Sequence, residues 1–380
     1  MKGKTALLLG TLVLVFIVAE VSLRFLAPQK TYTETLRRSS PIYVKDDILI
    51  KQLRPNYAAS PSEKTIDGIP RGTEVNSMGY RGKELLPASP DRTRIWVVGD
   101  SFTFGVGVKS SATYPALLED QLLASEPQPV EVINAGVSGR WVDEYYLDLK
   151  HRGIALEPEI VLVGIYMRND LDGPDARDHT WPEVDSEGLP LRIHSKAISI
   201  EDGYEVKTIR KTRWKLPLVR DSHVAQLLYD GGKVIDQQIR GRSVKNSHLY
   251  ENRYEPEAAD AVKRVEILLR GMKALTDESG AHLVVLLFPG RDQVYPQKYE
   301  ALTGLDLEKP QRELLAFLKS EGIDTIDLLP TLRASAAKPA LFFVDDDHWD
   351  VGGHAVVAET IADHLREGRY LPTAEPTVSP

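Results

Sequence analysis

The chain is 380 residues long, 42% hydrophobic and 27% charged, enough to bury a large core in one main domain with additions. Its 47 basic against 55 acidic side chains leave a net charge of −8, which argues against nucleic acid as a partner, because such binders carry a basic field. Cysteine is absent, which excludes disulfides, thiolate chemistry and Cys-based zinc sites and suits the cytoplasm or an exported bacterial protein alike.

Lys2 and Lys4 precede a charge-free stretch from Thr5 to Ala19 rich in Leu, Val and Ile. Its length is short for a membrane span and suits the apolar part of a signal peptide. Apolar character nevertheless continues through Val21, Leu23, Phe25 and Leu26, broken by Glu20 and Arg24, whose i, i+4 spacing lets them pair at a membrane surface. No convincing small-x-small cleavage site follows. Residues 1–27 are therefore expected to be an uncleaved signal anchor in the inner membrane, with the bulk of the chain in the periplasm or another extracytoplasmic space. Secretion after signal cleavage is the alternative. Arg24, Lys30, Arg37 and Arg38 lie beyond the apolar stretch, so the positive-inside count does not settle orientation.

Residues 28–90 are polar and Pro-rich and read as a linker followed by a preamble, Val75-Asn76-Ser77-Met78-Gly79-Tyr80-Arg81-Gly82. Apolar runs then alternate with helical patterns. Strands are predicted at Arg94–Gly99, Val130–Asn134, Ile160–Ile165, His282–Phe288 and Thr325–Leu328. Helices are predicted at Thr113–Ala124, Val142–Arg152, Ala258–Glu278, Lys309–Ser320 and Gly353–Arg366. Near-continuous apolar strands alternating with helices indicate an α/β fold, a three-layer sandwich around a central parallel sheet, spanning residues 91–367. The charged stretch at about 172–256 breaks the rhythm and reads as an insertion, with a hairpin near Arg192–Lys207. Residues 368–380, with three prolines, read as a flexible tail.

Four sites fall at the carboxyl ends of predicted strands or on the turns after them, where an open parallel sheet places its crevice. Ile95-Trp96-Val97-Val98 ends in Gly99-Asp100-Ser101, and a serine on such a strand-to-helix turn presents its hydroxyl beside the unsatisfied N–H groups of the first helical turn. Asn134-Ala135-Gly136-Val137-Ser138-Gly139 follows the second strand, and a glycine there lets a bare N–H face a ligand. Arg168-Asn169-Asp170 follows the third. Asp345-Asp346-Asp347-His348-Trp349 supplies an imidazole base with carboxylates close by.

These blocks, in this order, resemble the SGNH hydrolases, also called the GDSL family, over roughly residues 94–171 and 258–366; residues 76–82 resemble membrane-anchored bacterial members. The resemblance implies the family's flavodoxin-like sandwich, with Ser101 as nucleophile and His348 as general base. Asp345 becomes the orienter of His348 in an Asp-x-x-His pattern, and the N–H groups of Ser101 and Gly139 with the Asn169 amide become the oxyanion hole. Asp346 is the rival orienter, because related acyltransferases use an Asp-x-His spacing. The Gly-x-Ser-x-Gly elbow of α/β-hydrolases is absent. Met167 replaces the glycine usual in the third block and is expected to narrow the substrate pocket, while Arg168 is expected on the surface. The acidic cluster lacks the spacing of a calcium loop. His282, His354 and His364 are read as structural, and Trp349 as packing.

The expected activity is a serine ester hydrolase that deacylates a carbohydrate or small ester through an acyl-serine. The alternative is an O-acyltransferase that passes the same acyl group to an extracytoplasmic polysaccharide, and the third reading is an inactive binding module. No cofactor and no metal is called for. The expected partners are an ester substrate, including acylated carbohydrate, and the membrane.

Overall fold

The five predicted strands pair into one parallel sheet, in the spatial order 324–327, 282–288, 160–166, 93–98 and 130–134. A computed structural model describes residues 2–29, 41–59, 72–171, 180–196, 198–201, 204–207, 219, 221–240, 247–251, 253–299, 302–336, 341–344, 346–368 and 370–371. The sheet strands are β3 (Thr93–Val98), β4 (Val130–Asn134), β5 (Ile160–Tyr166), β10 (His282–Phe288) and β11 (Asp324–Asp327). β3 and β5 are buried along their whole length, as strands covered on both faces must be. Their register sets Ile95 opposite Ile160 and Val98 opposite Val163.

Alternation of side chains divides the core in two. Trp96, Val98, Val161, Val163 and Val285 face the helices Val142–Asp148, Pro256–Ser279 and Lys309–Ser320. Ile95, Val97, Ile160, Leu162 and Leu286 face Tyr114–Ser125 and Val351–Glu367. Each fully buried Val, Leu or Ile contributes roughly 1.5–3 kcal/mol, so both outer layers are held by the sheet. After β3 the chain goes to β4 at one edge and returns to β5 on the other side of β3. That reversal opens a crevice at the carboxyl ends of β3 and β5.

The structure departs from the sequence-based expectations outside the sheet. The segment read as a linker holds a hairpin, β1 (Tyr43–Asp46) and β2 (Ile50–Leu53). Its turn is closed by Asp46 Oδ1, which accepts the N–H groups of Ile48 and Leu49 at 2.8 and 2.7 Å. Ile42, Tyr43 and Leu53 pack with Val75, Phe104, Val106 and Val137 in a small core of their own. Arg81 of the preamble bridges to Asn134 at the end of β4. Two hairpins stand where one was expected: β6 (Thr180–Val184) with β7 (Pro190–Ser195), and β8 (Ile198–Glu201) with β9 (Tyr204–Lys207). An 18-residue helix, His223–Arg240, follows. Of the tail expected from residue 368, Tyr370 donates to Asp324 at 2.6 Å and Leu371 is buried, while 372–380 lie outside the described residues.

At the N-terminus, Lys2–Leu26 is one helix. Its Leu7–Leu26 part is long and apolar enough to cross a membrane, with mean hydropathy 2.2 and none of it buried against the rest of the chain.

Candidate active site

β3 ends at Val98, and the chain turns through Gly99 and Asp100 into the short helix Ser101–Phe104. Asp100 caps that helix: its Oδ1 accepts the Phe102 N–H at 2.9 Å. The carboxyl group is fully buried, and burial pushes its pKa up. The turn is braced from the side by the loop after β4. Asn134 Nδ2 donates to the Thr103 carbonyl at 2.9 Å, and the Val137 N–H donates to the Gly99 carbonyl at 3.1 Å. Contact is so close at Gly136 that a Cβ there would lie 2.3 Å from Phe104 N.

The histidine arrives on the segment after Leu341. Trp349 has no exposed surface and packs edge-on against Phe102 and Phe288 at 4.8 and 4.9 Å. Asp350 caps the following helix by accepting the N–H groups of Gly352 and Gly353 at 2.8 and 3.1 Å. Arg291 donates to the carbonyls of Val344 and Asp346 at 3.0 and 3.3 Å. Held on both sides, His348 sets Nε2 2.7 Å from Ser101 Oγ, across 247 positions of chain. That is hydrogen-bond reach for a base and its nucleophile.

The carboxylate on the other ring nitrogen belongs to Asp346, whose Oδ1 lies 2.5 Å from His348 Nδ1 and also accepts the His348 N–H at 2.9 Å. The hydrogen bond to His348 holds the Asp346 carboxyl below the usual carboxylate range. Asp345, the expected orienter, lies outside the described residues. The other acids of the cluster have separate tasks: Asp347 pairs with Arg168 at 3.5 Å, and Asp350 is the helix cap.

Asn169 reaches the nucleophile turn through Asp100, donating from Nδ2 to Oδ2 at 3.3 Å. Its turn is pinned by Asp170, which is fully buried, accepts the Tyr166 N–H at 2.9 Å and receives the Tyr145 hydroxyl at 3.2 Å. Gly139 stands on the braced loop at φ +77°, a conformation that favours glycine, and a Cβ there would lie 3.7 Å from Lys51 Nζ. The structure thus joins Ser101, His348 and Asp346 directly, ties Asn169 in through Asp100, and sets Gly139 on the loop packed against the same turn.

Two expectations about the third block are corrected. Met167 is fully buried in the core with Ile165 and Leu171, because the helix-side face of β5 continues into it, so it does not line the crevice. Arg168 is buried too, held between Asp292 at 3.6 Å and Asp347 at 3.5 Å, since these carboxylates compensate its desolvation. The three histidines read as structural have partners away from the serine. His354 is buried and accepts the Tyr114 N–H on Nδ1 at 3.1 Å; His364 contacts Asp324 at 2.6 Å; and the His282 ring meets Tyr370 edge-on.

Sequence reasoning assigned no role to Arg81. Its guanidinium is buried and donates to the carbonyls of Phe104, Gly105 (2.8 Å) and Val108 (2.6 Å), at the end of the nucleophile helix. Burial pushes its pKa down to about 9. An arginine between Tyr80 and Gly82 in an otherwise compact turn was the one available signal.

Residues 247–378 match the family model described as SGNH hydrolase-like domain, acetyltransferase AlgX. A curated relative from Pseudomonas aeruginosa, named "Probable alginate O-acetylase AlgJ", is 30% identical over 105 residues, which are 27% of this chain and 27% of that one. The match therefore spans about a quarter of the relative's length. Among solved structures, a catalytic mutant of Axe2, an acetylxylan esterase from Geobacillus stearothermophilus, is 13% identical. It covers 75% of this chain and 97% of its own at a TM-score of 0.40. A two-domain esterase active on acetylated mannans is 12% identical, covering 76% of this chain and 53% of its own at a TM-score of 0.39.

Proposed function

We propose that this chain, an SGNH hydrolase-like protein, is an O-acyltransferase that carries an acyl group through an acyl-serine to a hydroxyl of an extracytoplasmic carbohydrate. The observation that carries the acyl-serine step is the 2.7 Å contact of His348 Nε2 with Ser101 Oγ, with Asp346 on the far ring nitrogen. Ser101 Oγ attacks the carbonyl carbon of the acyl donor while Nε2 takes its proton. The oxyanion is held by the N–H groups of Ser101 and Gly139 and by the Asn169 amide, each such donor being worth roughly 3–4 kcal/mol in the transition state. Collapse expels the donor's alcohol, which leaves with the proton from His348. A sugar hydroxyl then repeats the attack on the acyl-serine, His348 takes its proton, and Ser101 leaves reprotonated.

Transfer is supported over hydrolysis by the match of residues 247–378, which include His348, to a family described as acetyltransferase. The name of the curated relative and the Asp-x-His spacing at Asp346 point the same way. Hydrolysis is the second reading, because the side chains of His348 and Asp346 are 23% and 49% exposed and leave water a path to the acyl-serine. We place the catalytic part outside the cytoplasm, tethered by Leu7–Leu26. The test incubates the full chain in detergent with an aryl acetate, with and without an oligosaccharide acceptor. Acetylated sugar, and an acetyl adduct on Ser101 in the intact-mass spectrum, are expected. Acetate release that no acceptor diverts returns the reading to a hydrolase, and no adduct under any condition removes the acyl-serine.

A further inference from the structure

We infer that the helix His223–Arg240 lies in the membrane surface beside the N-terminal span, so that the chain holds the bilayer at two places. The inference rests on the reading of Leu7–Leu26 as a membrane span. Glu20 sits within that span, and a carboxylate there is costly unless it is paired. It is paired twice. Arg24 Nε donates to it at 3.0 Å, and it accepts from Ser222 Oγ at 2.8 Å and from the N–H groups of His223 and Val224 at 3.0 Å each. The span therefore caps the start of the second helix. A further tie comes from the Gln29 N–H, which donates to His223 Nδ1 at 2.8 Å.

These contacts set the depth of the second helix. Glu20 lies six residues before Leu26, the last apolar residue of the span, a rise of ~9 Å at 1.5 Å per residue. Surface-lying amphipathic helices bury their apolar face to about 5–10 Å, at the boundary of headgroups and acyl chains. Direction follows from what the second helix covers. Among the described residues of the span, Ala19, Glu20 and Leu23 are the ones partly shielded, and the rest stay exposed. The helix leaves the span at that level and does not run along it.

Its sequence pattern fits the same plane. Val224, Leu227, Leu228 and Gly231 recur at helical spacing and form one stripe, and Gln226 falls on the opposite arc. Leu228 is 70% exposed and Leu227 44%, so this part of the stripe is not spent on the protein core. Two acids and two bases, Asp230, Asp236, Lys233 and Arg240, balance along the helix. The partner is thus the apolar boundary of a bilayer, with no requirement for anionic lipid.

The absence of cysteine makes the test direct, since one introduced thiol labels uniquely. Full-length Leu228→Cys, Gln226→Cys and Leu12→Cys variants are labelled with an environment-sensitive fluorophore and placed in phosphatidylcholine nanodiscs containing lipids brominated near the headgroup end of the chain. Quenching at 228 and at 12, with 226 unquenched, is the expected result. Quenching at 12 while 228 and 226 remain equally unquenched overturns the inference and leaves the span standing. No quenching at 12 overturns the span, and this inference with it.

Discussion

His348 is held by its neighbours in the chain, and one residue of spacing decides which carboxylate meets its ring. Trp349 is locked into the aromatic cluster of Phe102 and Phe288, which fixes the ring beside Ser101, and Asp346 then falls on Nδ1. A carboxylate in that position selects the tautomer that leaves Nε2 free to accept and stabilises the imidazolium that forms. Asp346→Asn is therefore expected to lower kcat for aryl acetate by ~10⁴-fold with little change in KM, as removal of an orienting aspartate does elsewhere. Asp345→Asn is expected to keep near-normal turnover. Steady-state kinetics on the two variants decide it, and the reverse ranking would return the orienting role to Asp345.

At the scale of elements, the preamble works as a brace. Arg81 gathers the carbonyls of Phe104, Gly105 and Val108, where the helix that begins with Ser101 leaves acceptors unsatisfied. Its ring-facing side also stacks on Phe104, at 4.2 Å from the centroid. A lysine offers one compact ammonium in place of a planar fork of five donors, so it cannot serve all three carbonyls. Arg81→Lys is expected to destabilise the fold by about 2–4 kcal/mol in urea melts, and to lower kcat because the nucleophile turn loosens. Unchanged kcat in the folded variant would confine Arg81 to stability. The hairpin packed beside this preamble was hidden from sequence reading because β1 and β2 are four residues long and set in polar, Pro-rich sequence that reads as linker. The sheet strands β3, β4, β5 and β10 are longer apolar runs, and all five sheet strands were legible to within one or two residues of their observed ends.

Across the whole molecule, His354 joins one outer helix to another by accepting the Tyr114 N–H from 240 positions away. Burial pushes its pKa down to about 3, with the charges of Arg81 and His348 acting in the same direction. Between about 3 and the unfolded value of about 6.5, the unfolded chain takes up a proton that the folded chain refuses, so stability falls as pH falls. This group alone should cost about 2 kcal/mol between pH 7 and pH 5. His354→Gln is expected to be less stable at pH 7, yet to lose about 2 kcal/mol less than the parent on going to pH 5, as read from urea midpoints. Equal losses in both proteins would show that another group carries the acid sensitivity.

The sequence by itself determined the chain order of the five sheet strands and the placing of Ser101, Gly139 and Asn169 after strand ends. Apolar runs and turn residues are local, and a motif's spacing is covalent. The tertiary structure alone showed that Asp346 meets the His348 ring, that Met167 turns into the core, that Arg168 is buried between two acids, and that Glu20 caps a helix two hundred residues away. Each of those depends on which surfaces meet after the sheet has formed, and a carboxylate or guanidinium carries no local mark of the partner that will compensate its burial.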